Sequence, residues 1–283
     1  MVTTLFLFYD GKLLRSDKPL ITPDNRSFRY GDGFFETMKW SRGRILLEQN
    51  HMERLFRSLE VLKFKAPGYF TADYITHAVQ ELVKKNQHHE LARVRITIFR
   101  GEGGIYDPQT HFPHLLIQTW ALNPSNNRLN ENGLEIDVFK DAVKSADHFS
   151  CIKSNNYLPY VMAAIWAKEQ HLNDAVLLNA FQHIADTTIA NIFMINNGFI
   201  KTPPLSDGAV AGVMRGFLME QLRKQNYEVQ EVSISPEELS GASEVFLTNS
   251  IYGIRWVKNF GKSGYVNQLV PHLYKTCINE IGQ

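Results

Sequence analysis

The sequence is poor in the features that mark several protein classes. It has two cysteines, Cys151 and Cys277, in 283 residues, too few for a disulfide framework. No apolar run approaches the ~20 residues of a membrane-spanning helix. The apolar stretch "LFLFY" near the N-terminus lacks a basic lead-in and breaks at Asp10-Gly11, so it reads as the first strand of a hairpin, not as a signal peptide. Charge of one sign is missing too. Thirty Lys and Arg against 29 Asp and Glu leave a net charge of +1, which gives no field to gather nucleic acid or a membrane surface. There is no Gly-Lys-Ser/Thr phosphate loop and no Gly-x-Ser-x-Gly elbow, and "GEGGIY" and "YGDGFF" miss the dinucleotide glycine spacing. His88, His89 and Glu90 follow a lysine-rich helix end without the spacing of metal ligands. These absences point to a cytosolic chain that acts on a small molecule.

What is present supports two domains. A chain of this length, 44% hydrophobic and 12% aromatic, buries one large core or two medium ones. Residues 1–122 alternate strands and helices in an α+β pattern. "TLFLFYDGKLL" predicts a hairpin, and "SFRYGDGFFETMKW" a turn followed by an aromatic-rich strand. "NHMERLFRSLEVL" carries apolar residues at helical spacing, with Asn50 and Glu53 placed as a capping box near its start. "TADYITHAVQELVKKN" predicts a second helix, and "LARVRITIFRG" and "HLLIQTWAL" a strand pair. Residues 123–133, "NPSNNRLNENG", have the composition of an exposed linker. The second domain, 134–283, predicts a helix from about Asn155 to His171, a hairpin at Asn197-Gly198, and a helix opening at "GVMR". A short helix follows at Ser235-Pro236, then strands "EVFLTN" and "IRWVK", and a C-terminal helix from about Asn267.

The chemistry-bearing stretches are scattered: "YGDGFFET", "HMERLFRS", "IKSNNYL", "ADTTIANIF", "GVMRG" and "EVFLTNSIYG". Each alone has a plain reading: a solvated lysine at 153, a solvated helix arginine at 54, an Asx turn at 186, a closing turn at 249. In this order, across residues 28 to 258, they resemble the class IV aminotransferases, pyridoxal 5'-phosphate enzymes of fold type IV. That family includes branched-chain and D-amino-acid aminotransferases and aminodeoxychorismate lyases. The resemblance implies a two-domain α/β (α+β) architecture of the D-amino-acid aminotransferase type, a homodimer, and pyridoxal phosphate as cofactor. Lys153 is then the catalytic lysine, carrying the cofactor and moving the substrate proton. An amine with that task must reach its neutral form, which desolvation favours. Arg54 resembles the phosphate-binding arginine. The amides of Val213 and Met214 resemble the phosphate cradle at a helix start, and Asn249 or Ser250 adds donors. Asp186 stands where the family carries the acidic partner of the pyridine nitrogen, usually Glu, so this chain has one methylene less.

Within the family, three details favour a lyase over a transaminase. "GVMR" has Met where transaminases typically show Thr, "EVFLTNSIYGIRWV" resembles the lyase strand, and "FRGEGGIY" resembles the lyase loop. The lyase loop normally carries Arg where Ile105 stands here, so the substrate carboxylate falls to Arg95, with Tyr106 beside the substrate. Thr37 matches a threonine implicated in lyase chemistry and also reads as a half-exposed strand residue. The expectation is an aminodeoxychorismate lyase releasing pyruvate and 4-aminobenzoate for folate. A class IV transaminase acting on branched-chain or D-amino acids is the alternative, and a member that binds cofactor without catalysis is a third reading.

Overall fold

The computed structural model describes residues 5–278 and residue 281. The chain divides into two compact units. One runs to Pro124 and takes in Lys153–Asn156. The other comprises Ser125–Ile152 and the chain from Tyr157 onward. Two expectations change here. Residues 153–156 group with the first unit, although they lie inside the stretch read as the second domain. The segment read as a linker packs into the second unit: Asn130 exchanges hydrogen bonds with the Trp256 backbone and accepts the indole N–H. Leu129 joins an apolar cluster there.

The first unit holds a six-stranded antiparallel sheet of order β2-β1-β6-β5-β3-β4. Its strands are β1 Phe6–Tyr9, β2 Lys12–Arg15, β3 Gly33–Ser41, β4 Arg44–Ile45, β5 Leu91–Phe99 and β6 His114–Ala121. Asp10 and Gly11 both have positive φ, the conformation of the two-residue hairpin turn that Asp-Gly favours. The "SFRY" stretch read as a turn is a short helix, α1 Arg26–Tyr30, capped by the Asn25 side chain and ended by Gly31 at φ +66°. Helix α2 spans Glu48–Val61 and α3 Ala72–Lys85. The expected capping box does not form, since α2 starts before Asn50 from Leu47 at φ +54°. Buried His51, Met52, Leu55, Ser58 and Leu59 make one helical stripe, which α2 lays on β3, while α3 packs on β1 and β6. Along β3 the side chains alternate. Glu36 and Met38 face the helices, and Phe35, Thr37 and Lys39 take the opposite face.

The second unit is built on a mixed nine-stranded sheet, order β12-β11-β10-β13-β14-β7-β8-β9 with β15 on β14. The strands are β7 Leu134–Lys144, β8 Asp174–Asn179, β9 Ile184–Thr187, β10 Asn191–Asn196, β11 Phe199–Thr202, β12 Val229–Glu231, β13 Glu244–Asn249, β14 Gly253–Phe260 and β15 Ser263–Gly264. The helices are α4 Leu158–Glu169, α5 Val213–Lys224, α6 Pro236–Ser240 and α7 Val270–Leu273, the last continuing as a wider π turn over Tyr274–Ile278. Strands β10 and β13 read as continuous apolar runs because both faces are covered. Ile192, Met194, Val245 and Leu247 enter one cluster with Leu239 of α6. Phe193, Ile195 and Phe246 enter another with Leu218, Met219 and Leu222 of α5. Helix α4 covers β7 and β8 through Tyr160, Ala163 and Ala167. A capping box does form at α6, where Ser235 and Glu238 bond reciprocally. No helix among the described residues is long and apolar enough to cross a membrane.

Candidate active site

In the first unit the stretch around Lys153 is neither strand nor helix. It is pinned to β3: the Phe35 N–H donates to the Lys153 carbonyl at 2.9 Å and the Asn155 N–H to the Gly33 carbonyl at 2.9 Å, with an isolated bridge between Phe34 and Ser154. Only glycine fits at 33, because a Cβ there would lie 2.4 Å from the Ile98 carbonyl oxygen and 2.7 Å from Asn155 Nδ2. Lys153 Nζ sits 4.8 Å from the centre of the Phe35 ring, and the Arg95 guanidinium lies 3.7 Å from the same centre. The electron-rich ring faces attract both cations. Thr37 stands directly across the β3–β5 ladder from Arg95, on the Phe35 face. Lys153, Arg95 and Thr37 are therefore arranged around one aromatic side chain.

Arg54 is not a solvated helix arginine. Its Nε donates to Glu36 Oε1 at 2.7 Å and its Nη2 to Oε2 at 2.6 Å, a bidentate fork. His51 Nδ1 lies 2.8 Å from Glu36 Oε2. Burial pushes the Glu36 carboxyl up, but the Arg54 charge and the bonds from His51 and Arg54 outweigh it and hold it at about 2. Burial also lowers His51, against the pull of Glu36. Tyr106 stands on the Gly101–Asp107 loop, 84% exposed, with its ring 5.9 Å from the Tyr30 ring.

In the second unit Asp186 is 2% exposed. The Tyr160 hydroxyl donates to both carboxylate oxygens, at 3.0 and 2.9 Å, and the Val210 N–H donates to Oδ2 at 3.0 Å. Tyr160 is itself raised well above the ordinary phenol range, by burial first and then by the Asp186 charge. Helix α5 opens at Gly212 with no side-chain cap, so the amides of Val213 and Met214 belong to its unbonded first turn. A Cβ at Gly212 would meet Asn191 Oδ1 at 1.9 Å. Asn191 pairs with Thr248 across β10 and β13, and the buried Thr248 hydroxyl has no hydrogen-bond partner among the described residues. An uncapped helix start beside an orphan hydroxyl suits a phosphate, so these residues fit the cofactor that the sequence implies. Asn249 fits less well. Its Oδ1 accepts from the Ile251 and Tyr252 N–H groups and its Nδ2 donates to the Ile189 carbonyl, so the side chain builds the turn after β13. Ser250 follows it, half-buried.

Glu36, which is common to the wider family, and three residues that did not stand out in the sequence belong with these groups. Glu36 holds Arg54 and is itself bonded by His51, Tyr160 holds Asp186, and Thr248 supplies the orphan hydroxyl. The sequence signal for Tyr160 is that it is the second aromatic in "YLPY", within the first turn of α4. Nothing in the sequence pairs it with Asp186.

Comparison with known proteins gives the family. A model of the family described as amino-transferase class IV matches residues 33–260. An aminodeoxychorismate lyase from Vibrio harveyi is 31% identical over 250 residues, covering 88% of this chain and 89% of that protein. A putative branched-chain-amino-acid aminotransferase from Methanocaldococcus jannaschii is 27% identical over 256 residues, covering 86% and 84%. The solved branched-chain aminotransferase of Thermoproteus uzoniensis, with norvaline, superposes with a TM-score of 0.87 at 24% identity, covering 98% of this chain and 95% of that one. The fold is that of the class IV pyridoxal phosphate enzymes, and the chain belongs to the class IV aminotransferase family.

Proposed function

We propose that this protein is a pyridoxal phosphate-dependent lyase that converts 4-amino-4-deoxychorismate to 4-aminobenzoate and pyruvate. The family is pyridoxal phosphate-dependent, and the bound cofactor would supply an electron sink for the carbon that bears the substrate amine. The single observation that carries the reading is the Phe35 platform, with the Lys153 amine and the Arg95 guanidinium over one ring and Thr37 opposite Arg95. With the cofactor bound, Lys153 Nζ would hold it covalently at rest and, once freed, would take the proton from the carbon that bears the substrate amine. Arg95 pairs with a substrate carboxylate. Thr37 would donate a hydrogen bond to the enolpyruvyl oxygen as the carbon–oxygen bond breaks and the ring becomes aromatic, and the departing enolpyruvate would take up the proton held by Lys153 and leave as pyruvate. Asp186, oriented by Tyr160, would serve as the acidic partner that keeps the cofactor's ring nitrogen protonated. The cofactor's phosphate would fall to Arg54 of the first unit and, in the second, to the Val213 and Met214 amides with Thr248 and Ser250, as the family resemblance implies.

The similarity to the Vibrio lyase supports this reading, as does Met214 in the helix-opening motif. We further propose a cytosolic homodimer. Leu158, Val161, Met162 and Ile165 are exposed on α4 at the spacing of a single helical face, which suits burial against a second copy. The alternative is a transaminase, favoured by the Methanocaldococcus relative. Pyruvate release from 4-amino-4-deoxychorismate with no keto acid present is the expected result. Glutamate formed from 2-oxoglutarate and a branched-chain amino acid, without pyruvate release, would favour the transaminase. Borohydride trapping followed by peptide mass spectrometry should place the cofactor on Lys153, and Lys153→Ala should lower turnover by at least about 10³-fold. A cofactor label elsewhere would refute the assignment.

A further inference from the structure

The Gly101–Asp107 loop is folded around a single buried side chain. Arg26, the first residue of α1, is 4% exposed. Its Nη1 donates to the carbonyls of Gly103 at 3.1 Å and Ile105 at 2.8 Å, and its Nη2 to the carbonyl of Tyr106 at 3.0 Å. Its Nε donates to Asp32 Oδ2 at 2.8 Å. Four of the five guanidinium N–H groups are thus used, three of them on one short loop nearly 80 residues away in sequence. Asp32 is fixed in turn by Arg100 Nη1 at 2.6 Å, and Arg100 lies 4.1 Å from the centre of the Phe64 ring. The loop needs Gly103 and Gly104, at φ +97° and +75°, and a Cβ on Gly104 would meet the Asp107 carbonyl oxygen at 1.9 Å.

What makes this more than a structural staple is the other contact of α1. Next to Arg26, Ser27 Oγ accepts from Asn155 Nδ2 at 3.0 Å, two residues beyond Lys153. Gly31, at the end of the same helix, packs so closely on Asn156 that a Cβ would lie 2.4 Å from its Oδ1. One five-residue helix therefore anchors both the segment that bears the amine and the loop that bears Ile105 and Tyr106, which are 70% and 84% exposed. Being buried and engaged, Arg26 is not itself available to a substrate. We infer that Arg26 is a positioning residue that sets substrate affinity by holding the Gly103–Tyr106 loop in register with the Lys153 segment.

This inference rests on the proposed function and is tested on the full-length holoenzyme with Arg26→Gln and Gly104→Ala. The second variant leaves the guanidinium intact and displaces the loop instead. Each should raise KM for 4-amino-4-deoxychorismate about tenfold while kcat stays within about threefold, because a misplaced binding surface costs affinity when the reacting groups are untouched. Cofactor trapped on Lys153 should stay at wild-type stoichiometry. Chymotrypsin should cut after Tyr106 at least about tenfold faster, since cleavage needs local opening. Arg26→Lys should rescue only partly, as one ammonium cannot reach all four acceptors. A folded Arg26→Gln protein with wild-type KM and wild-type cleavage would overturn the inference. If that variant does not fold, wild-type values in Gly104→Ala overturn it. If the wild-type protein neither holds cofactor on Lys153 nor releases pyruvate, the proposed function has failed, and the chymotrypsin rates still decide whether Arg26 holds the loop.

Discussion

The two units bury carboxylates in different ways. In the first, Glu36 is forked by Arg54 and touched by His51, and Asp32 lies between Arg26 and Arg100. In the second, Asp174 takes the Thr187 and Thr188 hydroxyls and two backbone N–H groups, and Glu244 takes the N–H groups of Gln268, Leu269 and Val270. Burial pushes both Glu36 and Asp174 up. The nearby guanidinium reverses this for Glu36, down to about 2, whereas hydrogen bonds alone leave Asp174 raised. Neutral donors satisfy a buried carboxylate without neutralising it.

The contrast is most easily broken at Glu36. Glu36→Ala leaves Arg54 largely buried without its counter-charge and should cost about 3–5 kcal/mol in urea unfolding. Asp174→Ala should cost clearly less, and equal losses would erase the distinction. The acid limb gives the next largest effect. Because Glu36 is held below its ordinary 4.5, it contributes stability above that value and loses it as pH falls towards 2, about 3 kcal/mol in all. Asp174 has the opposite sign. Its folded value lies above 3.8, so its contribution is full below 3.8 and is lost as pH rises through the folded value. Unfolding curves across pH should lose the first slope in Glu36→Gln and the second in Asp174→Asn. The smallest effect sharpens the comparison in the second unit. Tyr160→Phe removes the donor shared by both Asp186 oxygens and leaves the Val210 N–H, so it should destabilise by about 1–3 kcal/mol and weaken pyridoxal phosphate retention, measured by dialysis.

The sequence was legible where a signal is local. The Asp10-Gly11 and Asn197-Gly198 turns both adopt positive φ, since few other residues tolerate that backbone. Ser235 opens its helix as read, and the structure adds a capping box with Glu238. The same motif at Asn50 and Glu53 fails because α2 begins earlier, from Leu47, where its stripe on β3 extends to His51. The segment 123–133 looked like a linker because its composition is polar, yet Asn130 is captured by Trp256, 126 positions away. Composition does not report such a partner.

The candidate residues divide the same way. Lys153, Arg54, Asp186 and the helix start at Val213 could be picked out because their spacing along the chain carries a family resemblance. Their surroundings could not. Glu36 reaches Arg54 only because a strand and a helix pack face to face, Tyr160 reaches Asp186 across 26 positions, and Arg26 reaches its loop across about 80. By itself the sequence determined which side chains with the right chemistry exist and where turns and helices begin, because those depend on neighbours along the backbone. Only the tertiary structure decided which charges are paired, which carboxylate is held down and which pushed up, and which loop an arginine holds, because electrostatics and hydrogen bonding act through distances of a few ångströms in space whatever the separation in sequence.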